Sequence, residues 1–274
     1  MPYVDSSGTE IFWDREGDGE PVLLIMGLGY SSDMWHRTRP VLAKHFRVIS
    51  FDNRGVGKSG VPPGPYSMAQ MAADAGAVLD AAGVASAHVV GVSMGGMIAQ
   101  EFVLSCPARV CKLVLGCTAC GGPGAVRAEP EATGVLLARG SMSPEQAVAA
   151  AIPYIYHPST PRERIEEDLE IRLRTFPAAD AHRAQLAAIL GWQSYDRLQQ
   201  IHAPTLVMHG EADRLVPPGN GRLVAETIPG AQFVLIPRAS HMFTTDQPEV
   251  AHEALLKFLC GADFSPRGTS VPLS

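Results

Sequence analysis

A serine between two glycines is the feature of this sequence best suited to chemistry. The string Gly91-Val92-Ser93-Met94-Gly95 follows a β-branched run and precedes apolar residues at helical spacing. A serine at such a strand-to-helix turn is held out of the backbone, and small neighbours let the strand and helix approach closely. The chain has 27 glycines in 274 residues, so the string alone arises by chance in roughly one such chain in five. Its position between a strand and a helix makes Ser93 a candidate nucleophile.

Two later loops offer the partners that such a serine needs. A serine hydroxyl becomes a good nucleophile when a histidine accepts its proton and a carboxylate orients that histidine. Ligands of open parallel sheets bind beyond the carboxyl ends of the strands, so both partners are expected in loops there. Asp213 follows the predicted strand Thr205–Met208, and His241 follows Phe233–Ile236. We therefore predict a triad of Ser93, Asp213 and His241.

Neighbouring residues could take the same roles. Glu211 and Asp246 are carboxylates close in sequence to the proposed acid and base. His209 ends a predicted strand beside the acid loop, where a structural role is equally open. The residues alone therefore leave alternatives to Asp213.

Two strings imitate cofactor sites. Residues 55–60 match the dinucleotide fingerprint GxGxxG, but the proline-rich segment 61–65 cannot open the helix that this fingerprint requires. Within the same string, Gly57-Lys58-Ser59 imitates the end of a phosphate-binding loop, but such a loop would need glycine where Asp52 stands. The CxxC pair Cys117 and Cys120 lacks the further ligands of a zinc site and the helix of a redox pair. We expect no cofactor and no metal.

Composition narrows the class of partner. Hydrophobic residues make up 46% and charged residues 18%, with a net charge of −6, which favours a globular chain that binds neither nucleic acid nor an anionic membrane. The N-terminal residues lack a signal-peptide pattern, and five cysteines without framework spacing fit a reducing compartment. We expect a cytoplasmic monomer or homodimer that acts on a small molecule.

Strand-sized and helix-sized segments alternate along the chain, which predicts a doubly wound, mostly parallel α/β sheet. A hairpin of Tyr3–Asp5 and Glu10–Glu16 adds an antiparallel edge. The further predicted strands are Val22–Met26, Phe46–Phe51, Ala87–Val92, Lys112–Leu115, Thr205–Met208 and Phe233–Ile236. The predicted helices outside the interruption described next are Trp35–Lys44, Met68–Ala82, Met94–Cys106, Arg222–Ile228 and Val250–Leu259.

The alternation stops between about residues 121 and 195. Two helix-start signals fall here, at Ser143-Pro144-Glu145-Gln146 and Thr160-Pro161-Arg162-Glu163, each with an N-cap hydroxyl, a proline and a capping-box partner. We predict a helical cap over 121–195, a core of 1–120 and 196–262, and a loosely held tail of 263–274.

Four motifs, taken in their order along the chain, resemble those of α/β-hydrolase fold proteins, and the similarity covers about residues 3–260. Besides the serine string, residues 52–59 are similar to the DxRGxGxS loop of these proteins, and Pro204–Gly210 leads to an acid loop. The segment Ser240-His241-Met242 with Asp246-Gln247-Pro248 resembles the terminal histidine loop. The resemblance implies an eight-stranded sheet and a triad in the order Ser93, Asp213, His241.

The resemblance also implies an oxyanion hole made of backbone N–H groups. Met94 supplies one, and Leu28 supplies the other, with Gly29 as the alternative. Many similar proteins have His-Gly where this chain has Met26-Gly27. We add Gly27, Gly29, Tyr154, Trp192 and Met242 as candidate substrate-binding residues.

Within the family, residues 91–100 and the short cap resemble the 3-oxoadipate enol-lactonase and small esterase group, and acyl-homoserine-lactone hydrolases are also similar. An ester or lactone is therefore the expected substrate. Carbon–carbon bond hydrolases of ring-cleavage products and cofactor-free haloperoxidases or perhydrolases share the triad and remain alternatives. A catalytically silent binding module of the same fold is the alternative that is not an enzyme.

Overall fold

The computed structural model describes residues 2–261. Eight strands form one sheet, in the spatial order β1-β2-β4-β3-β5-β6-β7-β8. In chain order they are β1 (Tyr3–Ser6), β2 (Thr9–Glu16), β3 (Pro21–Ile25), β4 (Arg47–Phe51), β5 (Ala87–Val92), β6 (Val110–Gly116), β7 (Thr205–Gly210) and β8 (Gln232–Ile236). The β1–β2 and β2–β4 pairs are antiparallel, and the other neighbours are parallel. The predicted α/β fold with its antiparallel N-terminal edge is confirmed.

Ten helices accompany the sheet in the described residues. They are α1 (Arg39–Leu42), α2 (Met68–Ala81), α3 (Met94–Ser105), α4 (Pro130–Ala138), α5 (Pro144–Ile155), α6 (Arg162–Arg174), α7 (Ala179–Leu190), α8 (Pro218–Thr227), α9 (Phe243–Asp246) and α10 (Pro248–Cys260). None of those within 2–261 is long and apolar enough to cross a membrane. The predicted tail, 263–274, lies outside the described residues.

Burial on both faces explains the continuous apolar strands. Along β3, Leu23 and Ile25 belong to one apolar cluster, whereas Val22 and Leu24 belong to another. All four side chains have no solvent exposure. Successive side chains of a strand point to opposite faces, so a strand covered on both sides must be apolar at every position.

The predicted helix Trp35–Lys44 is wrong. A short 3₁₀ turn covers Ser32–Trp35 and a separate helix, α1, covers only Arg39–Leu42. Pro40 has no backbone N–H and restricts the residue before it, so it is accepted in the first turn of a helix and not in its middle. The proline therefore starts a helix where the periodicity alone suggested a continuous one.

Four helices, α4 to α7, lie between β6 and β7, and we call them the inserted helices. The predicted capping box at the start of α5 is present, because the Ser143 side chain accepts from the Gln146 N–H and the Gln146 side chain accepts from the Ser143 N–H. The predicted cap Thr160 is wrong. Pro161 precedes the first turn of α6, and the Thr160 hydroxyl instead donates to Asp246 at 2.6 Å.

Candidate active site

Ser93 occupies a sharp turn between β5 and α3. Its φ of 56° and ψ of −123° are rare for a residue with a side chain, and such backbone costs about 1–3 kcal/mol. A Cβ at Gly91 would lie 2.2 Å from the carbonyl oxygen of Gly95, and one at Gly95 would lie 2.1 Å from that of Ile25. Both flanking glycines are therefore required by the close packing that exposes Ser93.

Hydrogen bonds to the next strand hold this turn in place. The Ser93 N–H donates to the Gly116 carbonyl at 2.8 Å, and the Thr118 hydroxyl donates to the Ser93 carbonyl at 2.7 Å. Gly96 packs so closely on Thr118 that a Cβ there would lie 2.6 Å from the threonine Cβ. The side chain of Ser93 is half-buried and lines a cavity that His241 also lines.

His241 and Asp213 form a buried pair. His241 Nδ1 lies 2.8 Å from Asp213 Oδ2, while Asp213 Oδ1 accepts the backbone N–H groups of Leu215 and Val216 at 2.9 and 2.8 Å. Burial lowers the pKa of His241, but the Asp213 carboxylate and the Cys117 sulfur outweigh it and raise the pKa well above the ordinary 6.5. The carboxylate therefore orients the ring and stabilises its protonated form.

His209 supports the acid from the other side. Its Nε2 lies 2.7 Å from the Val216 carbonyl oxygen and 3.3 Å from Asp213 Oδ2. The side chain has no solvent exposure. His209 thus fixes the acid loop and does not reach the cavity.

The other two candidate acids have structural partners. Asp246 accepts from the Ser240 N–H and the Thr160 hydroxyl, both at 2.6 Å, and from the His157 N–H at 3.3 Å. Glu211 is exposed and accepts from the Arg238 N–H at 3.3 Å. Asp246 therefore anchors the histidine loop to the connection between α5 and α6, and Asp213 is the carboxylate that contacts the histidine.

The loop after β3 places backbone N–H groups near Ser93. A Cβ at Gly27 would lie 3.0 Å from the Cβ of Ser93. The Gly29 N–H already donates to Gln185 Oε1 at 2.9 Å, and Gln185 is fully buried in α7. Of the two alternatives for the second oxyanion donor, this geometry favours Leu28. Met94 is the first residue of α3, so no carbonyl of an earlier helical turn can accept a hydrogen bond from its backbone N–H.

The loop that imitates nucleotide-binding strings is structural. Asp52 accepts from the N–H and the hydroxyl of Ser32 at 2.7 Å each, and from the Lys58 N–H at 2.8 Å. The Asn53 side chain donates to the Met26 carbonyl at 2.9 Å. A Cβ at Gly57 would lie 2.2 Å from the Asp52 carboxylate. These contacts explain why the loop has this sequence: it braces the loop that carries Leu28.

A cavity of about 200 Å³ connects these parts. Its walls are mostly apolar, and Leu28, Ser93, Met94 and His241 all line it. Two predicted substrate-binding residues, Gly27 and Met242, line it as well.

Three other candidates lie elsewhere. Tyr154 lines a smaller adjoining cavity of about 40 Å³ and stacks under the Arg214 guanidinium, 4.8 Å from the ring centre. Gly29 lines neither cavity. Trp192 also lines neither, and its Nε1 donates to Glu101 at 2.8 Å. The insertion contributes instead Leu136 from α4, Ile189 from α7 and Arg139 from the short 3₁₀ turn that follows α4.

Sequence reasoning missed Arg139 and Cys117 as lining residues. No local pattern marks Arg139, because its place in the cavity depends on how the inserted helices pack. Cys117 directly follows β6, and strand ends are where site residues gather. Its sulfur, the Asp213 carboxylate and a His241 nitrogen lie within 4.8 Å of one another. These are ligand types that zinc accepts, but a metal there would compete with the His241–Asp213 hydrogen bond.

Comparison with known proteins identifies the family of this chain. The family model described as "Alpha/beta hydrolase family" matches residues 22–254. A protein of Azorhizobium caulinodans named "Putative carbamate hydrolase RutD" is 35% identical over 265 residues, which cover 95% of this chain and 98% of the relative.

Two solved structures share the whole architecture. The enol-lactonase from Burkholderia xenovorans LB400 superposes with a TM-score of 0.83 at 25% identity, covering 95% of this chain and 100% of that one. A thermophilic esterase from Thermogutta terrifontis gives a TM-score of 0.82 at 31% identity, covering 95% and 97%. Since the family model spans most of the sequence and a relative above 30% identity is covered almost end to end, the chain belongs to the alpha/beta hydrolase family.

Proposed function

We propose that this family member is a serine hydrolase that cleaves a carboxylic ester or lactone through an acyl-enzyme. The observation that carries the proposal is one cavity lined by both Ser93 and His241, with His241 held through Nδ1 by the buried Asp213. The similar enol-lactonase and esterase structures support the same reaction class.

In the proposed reaction, Ser93 Oγ attacks the acyl carbon while His241 Nε2 accepts the hydroxyl proton. The C–O bond to the alcohol breaks, and His241 returns the proton to the leaving oxygen. Water then loses a proton to His241 and attacks the acyl-enzyme, which releases the acid and restores Ser93. Throughout, Asp213 accepts the Nδ1 hydrogen bond of His241, so Nε2 is the nitrogen that accepts the proton and then returns it.

The negative charge that develops on the acyl oxygen requires donors fixed in advance. We assign the backbone N–H groups of Leu28 and Met94 to this role. Gly27 allows the close approach, because any side chain there would press on Ser93. Loss of one such donor typically costs about 10²–10³ in kcat.

The test is hydrolysis of p-nitrophenyl acetate by the wild type and by Ser93→Ala. Loss of the nucleophile should lower kcat by on the order of 10⁴–10⁶, with the fold unchanged. Ser105→Ala is the matched control, since Ser105 is exposed at the far end of the same helix. Wild-type activity in Ser93→Ala would overturn the assignment.

Carbamates are a second candidate substrate class, because the A. caulinodans relative is named for carbamate hydrolysis. A carbamate carries nitrogen on the acyl carbon, which makes that carbon less electrophilic, but the same nucleophile and oxyanion hole apply. A pH-stat comparison of linear esters, lactones and carbamates at equal concentration separates the classes. A kcat/KM for carbamates above that for every ester and lactone would replace the ester proposal.

We also propose that the inserted helices form a cap, with residues 121–195 as its extent and 1–120 and 196–262 as the core. Their direct contribution to the cavity supports this division.

All five cysteines are free thiols, and burial raises the pKa of Cys120 to about 11. Unpaired cysteines fit a reducing compartment, so we propose a cytoplasmic location.

A further inference from the structure

One permanent charge lies in the wall of this mostly apolar cavity. Among the described residues that line the cavity with Ser93, Arg139 is the only one that is always ionised. It is 8% exposed. It also lines the adjoining cavity, so this residue borders both spaces.

This guanidinium lies close to the proposed oxyanion loop. A Cβ built on Gly29 would be 3.3 Å from Arg139 Nη1 and 3.4 Å from Nη2. Gly27, two residues earlier, contacts Ser93, and two residues span at most about 7 Å of chain. A small substrate with its acyl carbon at Ser93 therefore has its far end within reach of Arg139.

The protein leaves Arg139 short of partners. Its Nε and Nη2 are buried and have no hydrogen-bond partner among residues 2–261. Tyr30 and Phe176 stack on it, with ring centres 5.4 and 4.8 Å from the guanidinium carbon. Such stacking offsets only part of the cost of a buried charge.

A second arginine adds to the positive charge. Arg172 is 2% exposed, and its guanidinium carbon lies 5.1 Å from the centre of the same Tyr30 ring. Its Nε and Nη1 have no hydrogen-bond partner among the described residues. Asp168 is the carboxylate whose charge acts on Arg172, and it already accepts from Tyr156 and Thr245 and pairs with Arg37. This part of the inserted helices therefore has more positive charge than it compensates.

A neighbouring histidine responds to the same field. Burial, followed by the charges of Arg139 and Arg183, lowers the pKa of His182 to about 4. The ring is buried, and its Nε2 has no partner in the part of the chain that the structure describes. A bound anion would relieve both this field and the unpartnered guanidinium.

We propose that Arg139, backed by Arg172, binds a carboxylate on the substrate, so that the preferred substrates are esters or lactones carrying a free carboxylate at the end remote from the scissile bond. This inference rests on the proposed function. Guanidinium groups bind carboxylates through parallel hydrogen bonds, and the unpartnered Nε and Nη2 of Arg139 lie on one edge of its fork.

Two esters that differ only in charge test the proposal. The p-nitrophenyl half-ester of glutarate carries the carboxylate, and p-nitrophenyl pentanoate has the same chain without it. We expect wild-type kcat/KM to favour the half-ester, and Arg139→Met to lower that preference about ten- to a hundredfold, the worth of a charge-assisted hydrogen bond. Arg127→Met is the control, because Arg127 is an exposed arginine of the same insertion.

Binding of glutarate itself gives a readout that does not depend on turnover. Calorimetry should detect binding to the wild type and to Arg127→Met, and lose it in Arg139→Met, with Arg139→Lys retaining part. Equal losses on both esters, or glutarate binding that survives Arg139→Met, would reduce Arg139 to a packing residue and overturn the proposal. The triad would stand in that case, since Ser93→Ala still abolishes cleavage of both esters if the proposed function is right.

Discussion

Replacing Gln185 by methionine tests how the inserted helices support the catalytic loops. Gln185 is fully buried, accepts from the Gly29 N–H and donates to the Arg54 carbonyl, both at 2.9 Å. Methionine has a similar length and volume, so the substitution leaves little empty space. It removes both hydrogen bonds and leaves two backbone groups buried without partners.

The expected cost follows from those two groups. Each buried backbone group that loses its partner costs about 1–3 kcal/mol, so Gln185→Met should lower the free energy of unfolding by about 2–6 kcal/mol. The loop that carries Leu28 also loses its anchor one residue away. If the N–H of Leu28 is an oxyanion donor, kcat should fall towards the 10²–10³ expected for loss of one donor, with KM changed much less.

Urea unfolding and ester kinetics measure the two effects separately. Gln199→Met is the matched control, because Gln199 is exposed. A Gln185→Met protein that unfolds within about 0.5 kcal/mol of the wild type and keeps its kcat would refute the reasoning. Loss of stability with full kcat would show that Gln185 supports the fold but not the position of the Leu28 N–H.

Two further predictions concern stability. Gly95→Ala should abolish folding or activity, since the added Cβ would lie 2.1 Å from a backbone oxygen. Gly134→Ala should stabilise the protein by about 0.5–1 kcal/mol, because nothing lies within 4 Å of the added Cβ in helix α4. Thermal unfolding of both variants checks this prediction, and equal effects of the two substitutions would contradict it. Burial lowers the pKa of His252 to about 4. As pH falls, the unfolded chain therefore protonates this histidine near pH 6.5, before the folded chain does. The free energy of unfolding should fall by up to about 3 kcal/mol as pH drops from about 6.5 to about 4. His252→Gln should weaken that pH dependence in urea unfolding at about pH 7 and about pH 4.5 while the exposed His202→Gln leaves it unchanged, and an unaltered slope in His252→Gln would count against the assignment.

The central strands were predictable because a strand buried on both faces of the sheet must be apolar at every position, and such runs are visible in the sequence. Predicted Ala87–Val92 coincides with β5, and Thr205–Met208 differs from β7 only at its end. Helix ends were less predictable where contacts distant in sequence decide them. Predicted Arg222–Ile228 starts at Pro218 in the structure, because the Asn220 side chain pairs with the backbone of Val126 and offsets the poor helix-forming residues there.

The proposed triad positions followed from the rule that sites gather at strand ends, whereas the cavity wall did not. Trp192 is aromatic and lies in the insertion, which made it a reasonable lining residue, but a partner 91 positions away, Glu101, holds its ring elsewhere. Arg139 gave no signal at all. Which side chains of an inserted helix face a cavity depends on packing between helices, and periodicity along one helix does not fix that.

The bonds between the inserted helices and the catalytic loops limit how this chain can be re-engineered. Gln185 holds the Gly29 loop, Thr160 holds Asp246 next to the histidine loop, and the Met242 N–H donates to the Ile155 carbonyl at 2.8 Å. A graft that exchanged these helices for those of a relative would change the walls of the cavity and remove three anchors together. Specificity in this scaffold is therefore best altered by side-chain replacement within the existing helices, or by a transplant that carries the anchoring residues with it.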